Sequence, residues 1–299
     1  MIRVEVYSTK NKKIGEISVD EKVKVKDIKE KIAAISPKLV VGRQSVRSAL
    51  KGKDIKDDEA IPLLASTRKV FVKDLGPQIG WSTVFICEYA GPLILYALVA
   101  LRPRILYSSA LNETSLSVTA SVALVCWSVH YLKRILETIF VHRFSHGTMP
   151  LLNLFKNCTY YWGFTLYVAY HTNHPLFTPP CRILQALGLI IFIVSELGNL
   201  SIHILLRNLR PPGTKVRKIP VPNSNPLTKL YNYVSCPNYT YEFYSWLGFT
   251  LLTSCVPAGL FALTGLYQMT IWALAKHKNY KTEFPNYPKQ RKAIIPFVL

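Results

Sequence analysis

The sequence predicts a multi-pass α-helical membrane protein with a small α+β domain at its N-terminus. Apolar residues make up 49% of the 299 residues, and the mean hydropathy is positive, which is unusual for a soluble protein of this size. Beyond residue 80, apolar stretches recur at about the 20-residue length that a membrane-spanning helix needs. The first 75 residues instead mix charged and apolar positions. We therefore divide the chain into residues 1–75 and 82–299.

The first 75 residues have the pattern of a small mixed domain. Residues 2–7 and Lys13–Val19 alternate apolar and polar side chains, as in half-buried strands. Val25–Ile35 has apolar positions at helical spacing, and residues 70–72 form a short closing strand pattern. This ββαβ order resembles the ubiquitin fold in its layout rather than in any signature residue. We expect an interaction module without chemistry of its own.

The remaining residues predict about six membrane spans, with seven as the alternative. A long apolar stretch, residues 243–275, would extend roughly 50 Å as one helix, more than one bilayer. Pro257 and Gly259 interrupt this stretch, so we expect two short crossings or a broken hairpin. The other predicted spans are residues 82–101, 116–140, 151–170 and 183–206.

The distribution of charge predicts the orientation of the chain. Segments 207–218 and 276–292 are strongly basic, whereas residues 171–180 carry no formal charge. The positive-inside rule places the basic segments, and with them both termini, in the cytosol. The triplet Asn112-Glu113-Thr114 is a glycosylation sequon and would then face the lumen.

The positions of the basic residues and the spacing of the cysteines argue against several other classes of protein. Basic residues outside the N-terminal domain lie in loops between apolar segments, which favours anionic lipid or a phosphorylated ligand over nucleic acid. The six cysteines include no CxxC pair, so we expect neither a disulfide framework nor a metal site. The sequence also has no GxGxxG or Walker loop, which argues against a soluble-type nucleotide fold.

The few acidic residues of the membrane part are the first indication of function. After Asp74 the chain has no aspartate and only six glutamates. Four of them, Glu88, Glu137, Glu196 and Glu242, lie inside or against apolar stretches. An ionised carboxylate in hydrocarbon costs several kcal/mol, so such groups are rare and usually face a polar cavity. This pattern predicts an intramembrane enzyme or transporter.

The end of the second predicted span carries a charged helical face. His130, Lys133, Arg134 and Glu137 are spaced i, i+3, i+4 and i+7, whereas Tyr131 points about 100° away. One interpretation is a helix end that extends its cations to the membrane interface, with Glu137 as their partner. The other is a binding site for a charged ligand. The spacing alone leaves both open.

Three further features can be structural or functional. Glu88 lies in the middle of a span, where a neutral carboxyl is either simply hydrogen-bonded or a proton donor for reduction at an activated double bond. The aromatic-rich segment 233–246 is either an interfacial belt or part of a site. The basic tail 276–292 would suit the phosphates of a nucleotide, or it is an ordinary basic tail.

Taken together, the last two segments resemble the C-terminal signature of the steroid 5α-reductase family. The middle block from Asn199 to Gly213, followed by Lys218-Ile219-Pro220, is similar to the loop region of that family. The resemblance covers roughly residues 82–299. The residues that carry it are Asn238-Tyr239-Thr240-Tyr241-Glu242, Trp246, and Tyr287-Pro288-Lys289-Gln290-Arg291-Lys292-Ala293-Ile294-Ile295-Pro296-Phe297.

Other features narrow the resemblance to one group of enzymes within that family. The ubiquitin-like domain, the block Glu88-Tyr89-Ala90-Gly91-Pro92 and Lys133-Arg134-x-x-Glu137 make the chain similar to the trans-2-enoyl-CoA reductases of very-long-chain fatty acid elongation in the endoplasmic reticulum membrane. This resemblance implies NADPH-dependent reduction of the 2,3 double bond of a long-chain enoyl-CoA, next to other elongation enzymes and membrane lipid. Alternatives are a steroid or polyprenol reductase and a non-catalytic scaffold.

The resemblance also implies roles for individual residues. Glu88 and Tyr131 match the pair that hydrogen-bonds the substrate carbonyl, and Tyr239 is a further candidate proton donor. Lys133 and Arg134 are candidates for the phosphates of NADPH or coenzyme A. His203 departs from the family pattern, which often has an acid there. The residues that match the dinucleotide site are Asn199, Arg210, Asn238, Glu242, Tyr280 and Arg291.

Overall fold

The computed structural model describes residues 1–57, 59–61, 64–107, 115–144, 147–211 and 217–299. The sequon Asn112-Glu113-Thr114 and residues 212–216 of the basic segment lie outside the described residues. The chain forms two compact units. One contains Met1–Trp81 with His146–Phe155, and the other contains Ser82–Ser145 with Lys156–Leu299.

The first unit contains a four-stranded mixed sheet with the order β2-β1-β4-β3. β1 pairs antiparallel with β2 and parallel with β4, and β3 pairs antiparallel with β4. The predicted strands and the predicted helix of this region are confirmed. The elements are β1 (Ile2–Ser8), β2 (Lys13–Val19), α1 (Val25–Ile35), β3 (Gln44–Arg47), α2 (Leu64–Thr67) and β4 (Lys69–Asp74).

One face of the sheet packs against α1. Val4 and Val6 of β1 are fully buried, as are Ile28 and Ile32 of α1. Alternation places the strand valines on one face of the sheet, and the four-residue spacing places the isoleucines on one side of the helix. The same periodicities that predicted these elements therefore build their common core.

The first unit also contains a short β-ladder that the sequence analysis did not predict. β5 (Gln78–Gly80) pairs antiparallel with β6 (Thr148–Pro150), and Ile79 lies opposite Met149. Helices begin directly after each strand, at Trp81 and at Leu151. The ladder therefore fixes the starts of these two helices side by side, although about 70 residues separate them in the chain.

The second unit consists mainly of long helices. Each of the four separate predicted spans corresponds to a helix whose ends lie within three residues of the prediction. Among the described residues, three helices are long and apolar enough to cross a membrane: α3, α6 and α8. The count of six to seven spans stays a prediction. The helices are α3 (Trp81–Ala100), α4 (Val118–Phe140), α5 (Leu151–Thr172), α6 (Arg182–Leu209), α7 (Pro237–Thr253) and α8 (Val256–Glu283).

The long stretch 243–275 is divided into α7 and α8, as expected, but a few residues earlier than its proline suggests. The break lies at Ser254, which has a left-handed φ of 48°. Pro257 lies in the first turn of α8, where its missing N–H leaves no helical hydrogen bond unmade. Gly259 lies within α8, which continues to Glu283 and includes the first part of the basic tail.

Two glycines bring the backbones of α6 and α7 into direct contact. A Cβ atom on Gly188 would lie 2.4 Å from the backbone nitrogen of Leu252, and one on Gly248 would lie 2.6 Å from that of Phe192. Small residues at a helix crossing allow such an approach, and van der Waals packing then stabilises the pair. This crossing positions the polar side chains described below.

We expect Gly248→Ala to destabilise the second unit, because the added methyl group meets backbone rather than a movable side chain. Overpacking of this kind costs about 1–3 kcal/mol. Thermal unfolding in detergent should show a lower midpoint. Gly163→Ala in α5 is the matched control, since a Cβ there meets nothing within 4 Å. Equal midpoints for the two variants would contradict the close crossing.

Candidate functional site

A network of buried and half-buried polar side chains connects α4, α6 and α7. α4 contributes the predicted charged face, so the common face of these residues is confirmed. α6 contributes residues spaced i, i+3 and i+7, and α7 contributes residues spaced i and i+4, which again places them on single faces. The members are His130, Lys133, Arg134 and Glu137 of α4, Glu196, Asn199 and His203 of α6, and Glu242 and Trp246 of α7.

His130 joins two of the membrane glutamates. The side chain is 1% exposed, and its Nδ1 lies 2.7 Å from Glu196 Oε1 while its Nε2 lies 3.4 Å from Glu242 Oε1. Trp246 Nε1 donates to the same Glu242 oxygen at 3.2 Å. Glu242 is therefore held from α4 and from its own helix. Sequence analysis placed His130 on the charged face but gave it no role; two acids within reach of one buried imidazole became visible only in the structure.

Lys133 links the network to the predicted cofactor residues. Its Nζ lies 2.8 Å from Glu196 Oε2 and donates to Asn199 Oδ1 at 2.9 Å. Asn199 Nδ2 in turn donates to the backbone oxygen of Asn238 at 3.0 Å and to Glu242 Oε2 at 3.2 Å. The structure thus brings together three residues predicted to bind the cofactor, Asn199, Asn238 and Glu242.

Arg134 and Glu137 form the other end of the network. Arg134 Nη1 donates to Glu137 Oε2 at 2.9 Å, and Arg134 Nη2 donates to the Tyr89 hydroxyl at 2.8 Å. His203 Nδ1 lies 3.1 Å from the same Glu137 oxygen. These contacts favour the interpretation of Glu137 as a partner for the cations of its own helix. His203, the departure from the family pattern, is a second partner of that acid.

Glu137, His142 and His203 are close enough to be considered as metal ligands, since their ligand atoms lie within 4.8 Å of one another. The guanidinium of Arg134 already occupies this corner, 2.9 Å from Glu137 Oε2 and 3.5 Å from His203 Nδ1. Lys133 Nζ is a further cation, 3.9 Å from Glu137 Oε1. Two cations next to the carboxylate would repel a metal ion, so the geometry favours an ion-pair cluster.

Of the two residues predicted to bind the substrate carbonyl, Glu88 has a hydrogen-bond partner and Tyr131 has none among the described residues. Glu88 of α3 is 2% exposed, and its Oε1 accepts a hydrogen bond from Asn157 Nδ2 of α5 at 2.7 Å. Tyr131 is 1% exposed, and its hydroxyl has no hydrogen-bond partner among the residues that the structure describes. The ring of Tyr89, the neighbour of Glu88, lies 6.2 Å from that of Tyr131. Asn157 was missed, although it is a polar residue within a predicted span.

Tyr239, the alternative proton donor, lies in a different hydrophobic cluster. Its ring is 6.2 Å from that of Trp272 in α8, and it packs against a cluster that includes Met269 and Ile294. Tyr131 belongs instead to the large cluster around Trp127. The two tyrosines, which the sequence left as alternatives, therefore have separate surroundings.

Two of the three remaining predicted cofactor residues line a small basic cavity. Arg210 and Tyr280 line this cavity of about 60 Å³ together with Arg217, Lys218 and Pro220. Arg217 and Lys218 belong to the predicted basic segment, but neither was singled out. The Arg217 guanidinium lies 5.9 Å from the ring of Tyr280, and its Nη1 also lies 2.7 Å from Glu283 Oε2. This arrangement suits an anionic group such as a phosphate.

Arg291 connects the C-terminal segment to the cavity. It is 4% exposed, and its Nη1 donates to the backbone oxygen of Pro220 at 2.9 Å. Its guanidinium lies 5.8 Å from the ring of Tyr231 and 5.4 Å from that of Tyr287. The six predicted cofactor residues thus form two groups: Asn199, Asn238 and Glu242 in the polar network, and Arg210, Tyr280 and Arg291 around the cavity.

Buried polar atoms without hydrogen-bond partners indicate whether these residues could bind a nicotinamide dinucleotide. Tyr131 Oη, Asn238 Oδ1 and Arg291 Nε are buried and have no hydrogen-bond partner within the described parts of the chain. Leaving such an atom unpaired costs about 1–3 kcal/mol, so each usually has a ligand or an ordered water. A hydroxyl, an amide oxygen and a guanidinium near a basic cavity fit a ligand with both amide and phosphate groups.

Comparisons with known proteins agree with this chemistry. The family described as 3-oxo-5-alpha-steroid 4-dehydrogenase matches residues 147–299. A probable very-long-chain enoyl-CoA reductase of Caenorhabditis elegans is 53% identical over 92% of this chain and 91% of its own length. A very-long-chain enoyl-CoA reductase of Dictyostelium discoideum is 46% identical over 100% of both chains. A trans-2,3-enoyl-CoA reductase-like protein of Bos taurus is 39% identical over 94% of this chain and 78% of its own.

The helical fold, the buried polar network and these relatives define an oxidoreductase of the class that acts on CH–CH bonds. Within that class, the chain belongs to the 3-oxo-5-alpha-steroid 4-dehydrogenase family and to its enoyl-CoA reductase branch. The family resemblance of the C-terminal blocks is therefore confirmed.

We expect Lys133→Met to destabilise the protein by about 3 kcal/mol, because breaking this ion pair removes the lysine cation from Glu196 and leaves only His130 in contact with that carboxylate. Adding Glu196→Gln should recover part of this loss. The free energy of unfolding in detergent measures both effects. Lys156→Met, at an exposed position of α5, is the control and should change stability by less than about 0.5 kcal/mol. Additive losses from the two substitutions would contradict the pairing.

Proposed function

We propose that this chain reduces the 2,3 double bond of very-long-chain trans-2-enoyl-CoA with NADPH, the last step of the fatty acid elongation cycle. The observation that carries the proposal is the Tyr131 hydroxyl, which is buried and has no partner in the described structure. The ring of Tyr131 lies 6.2 Å from that of Tyr89 and 5.9 Å from that of Trp246, which donates to Glu242. A donor in this position suits a carbonyl oxygen that gains negative charge during reduction. The relatives named above as enoyl-CoA reductases support the same substrate class.

The residues for NADPH are the two groups described above. Asn199, Asn238 and Glu242 would hold the amide end, because an unpartnered amide oxygen and a fixed carboxylate can accept hydrogen bonds from a carboxamide. Arg210 and the neighbouring cations would hold phosphate groups. When bound, NADPH supplies the hydride that reaches the β-carbon of the substrate.

The protein's own part of the reaction is to bind the substrate carbonyl and to supply a proton. Tyr131 would donate a hydrogen bond to the thioester oxygen, and Glu88, held by Asn157, would assist as a second polar group. These groups stabilise the enolate that forms after hydride addition. The α-carbon then receives a proton from Tyr131 or from Tyr239. The unpartnered hydroxyl favours Tyr131 for the carbonyl. Tyr239 stays the alternative proton donor that the family resemblance implies.

The organisation of the chain is part of the proposal. Residues 1–75 would form a ubiquitin-like cytosolic domain that binds other elongation enzymes, and residues 82–299 a steroid 5α-reductase-like catalytic domain in the endoplasmic reticulum membrane. The sheet order β2-β1-β4-β3, with α1 packed on it, supports the first assignment. The three long apolar helices support the membrane location, and the basic segments support cytosolic termini.

A substrate comparison tests the proposal. Purified protein in detergent would receive NADPH with either a long trans-2-enoyl-CoA or a 4-ene-3-oxosteroid, and the nicotinamide absorbance would be followed. We expect oxidation of NADPH only with the enoyl-CoA. Oxidation only with the steroid would replace the proposed substrate. Bound NADPH without turnover of either compound would favour a non-catalytic scaffold.

Single substitutions should separate catalysis from cofactor binding. Tyr131→Phe removes the hydroxyl donor and should lower kcat by about 10²–10³, as for the loss of an oxyanion donor, with little change in NADPH affinity. Glu88→Gln should also lower kcat. Asn238→Ala should weaken NADPH binding by about tenfold, the equivalent of one hydrogen bond. Initial rates and NADPH fluorescence titration measure the two effects. A fully active Glu88→Gln variant would remove that residue's catalytic role.

A further inference from the structure

His130 is a buried imidazole that contacts both proposed parts of the active site. Its ring lies 4.9 Å from that of Tyr131, the proposed carbonyl donor, at an interplanar angle of 81°. The ring of Trp246 is 4.5 Å away. The Nε2 atom of His130 faces Glu242, which is one of the residues proposed to hold the amide end of NADPH. The proposed function gives His130 no part, although it contacts all of these groups.

The protein itself fills most of the acceptor positions of Glu242. Oε1 accepts a hydrogen bond from Trp246 Nε1 at 3.2 Å and lies 3.4 Å from His130 Nε2, and Oε2 accepts from Asn199 Nδ2 at 3.2 Å. An ionised carboxylate offers about four acceptor positions. Within the described residues, one position on Oε2 is therefore left for a ligand. The Glu242 side chain is 19% exposed, so a ligand can reach it.

The two acids that His130 contacts depend on it to different degrees. In the described part of the chain, no lysine or arginine pairs with Glu242, and the basic group that faces it is His130. Glu196, at the other ring nitrogen, has Lys133 as a second partner at 2.8 Å. Loss of the imidazole would leave Glu196 with a cation but Glu242 with neutral donors only. A substitution of His130 should therefore act mainly through Glu242.

We propose that His130 is a positioning residue for the cofactor, which holds the Glu242 carboxylate so that the free position on Oε2 accepts the carboxamide N–H of NADPH. The inference rests on the proposed enoyl-CoA reduction and adds a residue to its cofactor site. A carboxylate held in one orientation would hold the carboxamide, and with it the nicotinamide ring, in one orientation. Such prior placement lowers the barrier because the reacting groups need less reorganisation. The contact with Tyr131 holds the carbonyl donor relative to the same carboxylate.

Two substitutions separate the two nitrogens of the imidazole. The amide nitrogen of asparagine is as many bonds from the backbone as His130 Nδ1, and that of glutamine is as many bonds away as Nε2. His130→Asn can therefore keep a donor toward Glu196, whereas His130→Gln can keep one toward Glu242. We expect His130→Asn to raise the NADPH dissociation constant about tenfold, the equivalent of one hydrogen bond. His130→Gln should raise it less than about threefold.

A cofactor analogue shows whether the effect passes through the carboxamide. Reduced 3-acetylpyridine adenine dinucleotide phosphate has a methyl group in place of the amide nitrogen, so it cannot donate to Glu242. In calorimetric titrations, His130→Asn should weaken the binding of NADPH but leave the dissociation constant of the analogue within about twofold of the wild-type value. Equal weakening of both compounds would overturn the proposal, because His130 would then only support the fold. Equal effects of the asparagine and glutamine substitutions on NADPH binding would also overturn it.

A destabilised variant outside the site controls for loss of structure. Thr172→Val removes a hydroxyl that lies 2.8 Å from the Tyr96 hydroxyl, so it should lower the unfolding midpoint but keep the wild-type ratio of the two dissociation constants. If His130→Asn does not fold, His130→Gln still tests the proposal, since a ratio near one in that variant contradicts it. Absence of enoyl-CoA reduction by the wild-type protein would remove the proposed function, whereas the ratio would still test the contact between His130 and Glu242.

Discussion

The arrangement of the helices in the second unit depends on the free-energy cost of placing ionised carboxylates in an apolar interior. Glu137, Glu196 and Glu242 all lie among packed helices, and each has a cation or a histidine within 3.4 Å. An unpaired charge in such surroundings costs several kcal/mol, so these pairs require α4, α6 and α7 to keep one relative arrangement. The glycine contact between α6 and α7 allows that arrangement, since larger side chains at Gly188 or Gly248 would hold the two helices apart.

This pairing decides which groups remain for a ligand. Lys133 and Arg134 were candidates for substrate or cofactor phosphates, but their charged groups contact Glu196, Glu137 and the Tyr89 hydroxyl. The cavity lined by Arg210 and Lys218 remains the proposed phosphate site. The buried polar atoms without partners in the described residues, above all the Tyr131 hydroxyl, mark where a ligand would complete the hydrogen bonding. Glu137, Glu196 and Glu242 thus join the helices, whereas Tyr131 and Glu88 are the groups proposed to contact the substrate.

The ends of the long helices could be predicted because hydropathy depends mainly on local composition, and all four separate spans lie within three residues of their expected ends. The break before α8 was placed too late, because Pro257 was taken as a helix breaker although proline is well accommodated in a first turn. The ladder between β5 and β6 was missed, since three-residue strands about 70 residues apart have no local signal. The helical face from His130 to Glu137 was visible in the spacing, but its partners were not.

The sequence by itself determined that the chain has an N-terminal mixed domain and long apolar helices, that four glutamates are retained in apolar surroundings, and that its C-terminal blocks resemble one reductase family. These properties depend on local composition and on short motifs. Only the tertiary structure decided that His130 joins Glu196 to Glu242, that Asn157 holds Glu88, and that the Tyr131 hydroxyl is left without a partner among the described residues. These facts depend on contacts between helices, and no local pattern specifies which helix faces which.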